Sequence, residues 1–169
     1  MKITDKIRIS SLRKKGTQSS TEREIKILKP AQYKRILLIN SLEEPDLIKA
    51  AQLAFKNAEI SQLYLREKKE DSDTSKYSIH PSDFNLTGQL KNDKLSQLQK
   101  SGFELIIDLH DESELLKYCF RSIKSNLIVG KLNSSDPVIC DLFVESGKNN
   151  KEFLDNMIKQ LNVIASHEK

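Results

Sequence analysis

Tryptophan is absent, glycine occurs five times and cysteine twice in 169 residues, and each shortage removes a class of function. Four tyrosines and six phenylalanines at no common spacing do not make a platform on which single-stranded bases stack. The glycines (Gly16, Gly88, Gly102, Gly130 and Gly147) form neither G-x-G-x-x-G nor G-x-x-x-x-G-K-[ST], so the usual phosphate-cradling loops are missing. No G-x-S-x-G elbow presents a nucleophilic serine. The two cysteines, Cys119 and Cys140, lie in apolar stretches without a C-x-x-C or Cys/His cluster. That excludes a zinc site of standard spacing and suits a reducing compartment. The expectation is therefore no metal and no cofactor. No apolar run approaches the ~18 residues of a membrane span, and the N-terminus has no signal-peptide core. A protein of the cytoplasm without a transmembrane segment is expected.

What the chain has instead is an uneven charge. The formal net charge is +4, but residues 1–35 carry eleven Lys and Arg against three acids. The remaining residues carry 17 bases against 21 acids. Residues 1–30 read as a basic N-terminal arm and residues 31–169 as the folded domain, with Gly16-Thr17-Gln18-Ser19-Ser20-Thr21 breaking the arm. Arg8, Arg13, Lys14 and Lys15 are the candidate contacts to a polyanion such as RNA. A solvated, partly helical tail is the default reading of such a charge run; a protein partner is another occupant, and Ile3, Ile7 and Leu12 offer a weaker route to an anionic membrane surface.

The domain alternates strand and helix. Arg35-Ile36-Leu37-Leu38-Ile39, Phe103 to Leu109 and Leu127-Ile128-Val129 are continuous apolar runs of strand length, as expected where both faces of a strand are covered. Ser61–Leu65, Asp83–Leu86 and Val138–Val144 read as further strands, and Glu67–Asp83 as an exposed loop. Capping patterns at Ser41-x-x-Glu44, Asp111-x-x-Glu114 and Asn149-x-x-Glu152 start helices. A small helix from Asn92 or Asp93 stops at Gly102. The expected fold is α/β, a three-layer Rossmann-like open sheet, mostly parallel, with the three apolar runs as parallel neighbours.

Lys34 to Ile39, Gly102 to Leu109 and Ser125 to Gly130, in that order, resemble an uncharacterised family of short bacterial α/β proteins with a basic N-terminal helix. The likeness covers roughly residues 34–165. The same segments are similar to the N-terminal half of heptosyltransferase-like glycosyltransferases, whose first strand leads into a Gly-Asp-containing catalytic loop. Here that loop is Asn40-Ser41-Leu42-Glu43-Glu44, without the Gly or an Asp in register. The second likeness thus implies a fold and speaks against the activity.

In an open parallel sheet, ligands meet the carboxyl ends of the strands. The residues expected there are Asn40 and Ser41, then Asp108 and His110, then Gly130 and Lys131. A histidine beside carboxylates suits proton transfer or metal binding. A structural reading is the stronger one, with Asp111 as a helix cap and His110 as a surface loop residue. The expectation is a non-catalytic binding protein acting through its arm. The alternative is a small-ligand or sugar- or nucleotide-phosphate binder, or a degenerate glycosyltransferase-like enzyme, using the strand-end cleft.

Overall fold

The computed structural model describes residues 4, 6, 7, 10, 11, 23–66, 78–80, 83–87, 96–110, 123–135, 137 and 139–167. The expected polyanion contacts Arg8, Arg13, Lys14 and Lys15 lie outside them, as does the helix expected from Asp111.

Six strands form one sheet: β1 (Arg35–Asn40), β2 (Glu59–Leu65), β3 (Ser78–Ile79), β4 (Phe103–Asp108), β5 (Ser125–Lys131) and β6 (Leu142–Val144). Their spatial order is β3-β2-β1-β4-β5-β6, and every pairing is parallel. Among the described residues, the helices with both ends in view are α1 (Pro45–Ala54), α2 (Ser96–Ser101) and α3 (Asn150–His167), with a 3-10 turn at Pro30–Gln32; Thr4, Lys6, Ile7, Ser10 and Ser11 are also helical. The expected Rossmann-like α/β fold is the one observed, with β1, β4 and β5 as parallel neighbours.

Alternation along the strands divides the core. Ile36, Leu38, Leu105, Ile107, Leu127 and Val129 face α1 and α3, whose Leu47, Ala51, Phe55, Phe153, Leu154, Met157 and Leu161 are buried against them. Leu37, Ile39, Leu63, Leu65, Ile106 and Ile128 face the other way, onto Phe84, Leu98 of α2, Ile123, Ile139 and Cys140. Burial of the four α3 side chains contributes about 1.5–3 kcal/mol each. Tyr33 meets Phe55 edge-on, with ring centroids 6.1 Å apart, and joins the chain before β1 to α1.

Several boundaries differ from those expected. The third strand is Ser78–Ile79, inside the segment read as loop, and Asp83–Leu86 contributes only an isolated bridge at Phe84. Parallel pairing with Tyr64 and Leu65 buries Ile79, and two residues are too few to show any periodicity. The last strand starts at Leu142, because Ile139 and Cys140 form a buried turn rather than extended chain. Pro45 fixes the first position of α1, so Glu44 is its N-cap residue and the expected Ser41 cap does not form. At α3 the cap holds: Glu152 N–H donates to Asn149 Oδ1 at 2.9 Å, while the Glu152 carboxylate turns back to Lys148 N–H. Gly102 stops α2 at φ +61°, in the left-handed region that favours glycine.

β5 runs through Gly130 to Lys131. The glycine is required by close approach, because a Cβ there would run into Ser135 and Cys140 Sγ.

The last part of the basic segment lies on the domain. Arg23 donates to Asp141 Oδ1 and, at 3.1 Å, to Ser125 Oγ, and Lys26 N–H donates to Asn126 O at 3.3 Å. Asp141 Oδ2 accepts Ile128 N–H at 2.7 Å. Burial raises the Asp141 carboxyl above its ordinary value, against the Ile128 amide and Arg23, which lower it. Because β6 begins at Leu142, residues 23–26 cover the half of the β5 edge that β6 leaves open.

Two substitutions test this core. Ile107→Ala is expected to cost about 2–5 kcal/mol, read as a lower urea midpoint. Gly130→Ala is expected to cost about 1–3 kcal/mol by overpacking, and a midpoint equal to that of the parent protein would disprove the close approach.

Candidate functional site

The strand order reverses between β1 and β4. From β1 the chain moves out through β2 and β3, then returns to β4 on the other side of β1 and continues to β5 and β6. Doubly wound sheets receive ligands beside this reversal, at the carboxyl ends of the strands. The six expected cleft residues divide there into two networks.

The first sits on β1. Asn40, its last residue, is buried; its Oδ1 accepts Ser41 N–H at 2.8 Å and its Nδ2 donates to Glu44 Oε1 at 2.9 Å. The same Glu44 oxygen accepts from Asn150 Nδ2, the first residue of α3. One carboxylate therefore joins the starts of two helices to the end of the central strand.

The second network lies at the ends of β4 and β5, where Asp108 and Gly130 are register partners. Asp108 Oδ1 accepts His110 N–H at 3.1 Å, and Oδ2 accepts the Ser135 hydroxyl at 3.1 Å. Ser135 Oγ accepts Lys131 N–H at 2.8 Å, and Lys131 Nζ donates to Leu109 O at 3.0 Å. Asp108, His110, Lys131 and Ser135 are all buried. His110, expected as a surface loop residue, is only 1% exposed, because the Asp108 carboxylate draws its backbone N–H inward.

The structure thus unites Asp108, His110, Gly130 and Lys131, and gives Asn40 and Ser41 a separate network. Sequence reasoning missed Ser135, which hydrogen-bonds across 27 residues from a polar loop with no periodic pattern. It also missed the role of Glu44. The glycine at position 130 was the available signal, since a glycine within an apolar strand marks a neighbour approaching closely.

This arrangement suits mutual support better than anion capture. A helix start can hold a phosphate through its backbone N–H groups. At α1, however, the start carries Glu43, Glu44 and Asp46, which oppose a negative ligand. Nearby, Tyr64 is raised above its ordinary value by burial first and by Glu43 second, against Arg66, whose guanidinium lies 5.4 Å over the ring. Among the described residues, no group of three or more His, Cys, Asp or Glu is placed to hold a metal ion. No helix among them is long and apolar enough to cross a membrane.

Fold and strand-end geometry define the class: a doubly wound α/β domain without the glycine-rich phosphate loop of the nucleotide-binding members. A family model described as a family of unknown function, DUF6913, matches residues 5–164, and the chain belongs to that family. No curated protein and no solved structure matches it.

The second network makes a direct prediction. Ser135→Ala removes the partner of both Asp108 and the Lys131 amide, and is expected to cost about 1–3 kcal/mol in urea unfolding. Retention of the full midpoint would mean that the network adds nothing to the domain.

Proposed function

We propose that this is a non-catalytic binding protein of the cytoplasm whose basic N-terminal segment contacts RNA through the phosphate backbone. The division of charge carries the reading. Residues 1–22 hold six Lys and Arg (Lys2, Lys6, Arg8, Arg13, Lys14 and Lys15) against Asp5 and Glu22. Arg23, the next base, is committed to Asp141, so the count stops there. The strand ends support the same reading from the other side. The first helix start there is acidic, and the buried polar side chains hydrogen-bond one another.

The kinship with bacterial sequences and the likeness to glycosyltransferases belong to this proposal as well. The β1–α1 loop, Asn40 to Glu44, lacks the Gly and Asp of the catalytic loop, and its Asn40 and Glu44 side chains are hydrogen-bonded to each other. A degenerate relative that has kept the sheet and lost the chemistry fits both facts.

Phosphate contacts release counterions, so binding should weaken with salt at a logarithmic slope of roughly −0.7 per phosphate on a single strand. Deleting residues 1–22, with Arg23 retained, is expected to reduce that slope by about 4 and the affinity accordingly. Lys14→Glu with Lys15→Glu should weaken every RNA sequence alike, since backbone contacts carry no base information. Fluorescence anisotropy across a salt series reads both effects. Equal affinity and slope for full-length and truncated protein would refute the proposal. In that event a thermal-shift screen against nucleotides and sugar phosphates addresses the strand ends.

A further inference from the structure

The charge imbalance does not end with the N-terminal segment. In an all-parallel sheet every strand starts at the same edge, so residues just ahead of the strands are brought into one row. Ahead of β1, β2, β4 and β5 those positions carry bases. Lys34 and Arg35 open β1, Lys56 precedes β2 in the turn after α1, Lys100 precedes β4, and Lys124 precedes β5. Lys26, held beside β5 by its bond to Asn126, extends the row past that strand. All six are exposed, and among the described residues none makes an ion pair. Among the described residues the acids of this edge are Glu24, Glu59, Glu104 and, ahead of β6, Asp141; Glu104 is occupied with the N–H groups of Lys34 and Arg35, and Asp141 with Arg23.

The register fixes the length of the row. Its members follow β2, β1, β4, β5 and the segment beyond, and neighbouring strands lie about 4.8 Å apart, so the row runs about 20 Å. Helix dipoles account for part of it. Lys100 sits in the last turn of α2 and Lys56 just past α1, where cations are favoured. Arg35 donates to Ser101 O at the end of α2, whereas Lys26, Lys34 and Lys124 have no helix end to serve. The row is also continuous in sequence with the basic segment, because Lys26 follows Arg23, the residue that anchors that segment to Asp141.

We propose that this amino-terminal edge of the sheet is a second contact surface for single-stranded RNA, working with residues 1–22. The inference rests on the RNA-binding reading above and places part of that site on the folded domain, opposite the carboxyl ends of the strands. Contact is to phosphates: the edge offers ammonium and guanidinium groups without an aromatic stacking surface, so recognition is independent of base sequence.

The test uses the full chain and a fluorescent oligouridine of about 20 nucleotides, long enough to span a site of this size. Lys56→Glu, Lys100→Glu and Lys124→Glu are combined in one protein. A control with the same charge change carries Lys49→Glu, Lys148→Glu and Lys151→Glu, three exposed lysines toward the opposite edge. The edge variant is expected to lose at least about tenfold in affinity and to reduce the salt slope by about 2, well beyond the control. Equal losses in the two variants would show that net charge alone matters and would overturn the surface. An edge variant that binds like the parent also overturns it, while a loss caused by K14E/K15E would leave the N-terminal reading standing. A parent protein that fails to bind oligouridine, or that binds only phosphatidylserine vesicles, removes both proposals. Urea midpoints verify folding. If the reversed variant does not fold, K56Q/K100Q/K124Q replaces it; the same three phosphate contacts are lost, so a reduction in slope of about 2 is expected again.

Discussion

Parallel pairing of β1 with β4 is the constraint on which the rest of the molecule depends. Parallel strands cannot be joined by tight turns, so each connection must cross a face of the sheet, and both faces end up covered. Ile36 and Leu38 therefore look onto α1 and α3 while Leu37 and Ile39 look onto the opposite layer. The pairing also places the topological reversal beside Asn40 and Asp108. It separates the sheet into two unlike edges, one where all strands start and one where all strands end.

Those two edges have been put to different uses. At the finishing edge, charged and polar groups are buried and pointed at one another, as Asp108, Ser135 and Lys131 are. Removing a charge from water is costly unless hydrogen bonds replace the lost solvation, and this network supplies them. At the starting edge the bases remain in water, where their charge is screened but available to a partner. The same composition thus yields an inward polar cluster at one end and an outward cationic row at the other.

Much of the fold was legible because burial on both faces leaves a plain mark. β1, β4 and β5 each hold an unbroken apolar stretch, Ile36–Ile39, Leu105–Ile107 and Leu127–Val129, and no helical stripe has that form. β3 left no mark because two residues cannot show alternation, and Ile139-Cys140 looked like strand because a buried turn is as apolar as a strand. The strand-end rule put Asp108, His110, Gly130 and Lys131 at the ends of β4 and β5, where they lie. It said nothing of Ser135, whose position is set by the packing of a loop over Gly130, or of Glu44, whose partner Asn150 lies 106 residues away. Local patterns reveal which elements form; contacts between distant loops depend on how those elements are assembled.

The anchoring of Arg23 to Asp141 has a consequence for the timing of biosynthesis. The two residues are 118 positions apart, so the anchor site does not exist when the basic segment leaves the ribosome. At about 5–20 residues per second the wait is roughly 6–24 s. Throughout that interval Arg23 and Lys26 have no docking place on their own domain, and their cations are open to any polyanion nearby. Only when Asp141 and the β5 edge have been made can Arg23 and Lys26 settle beside β5.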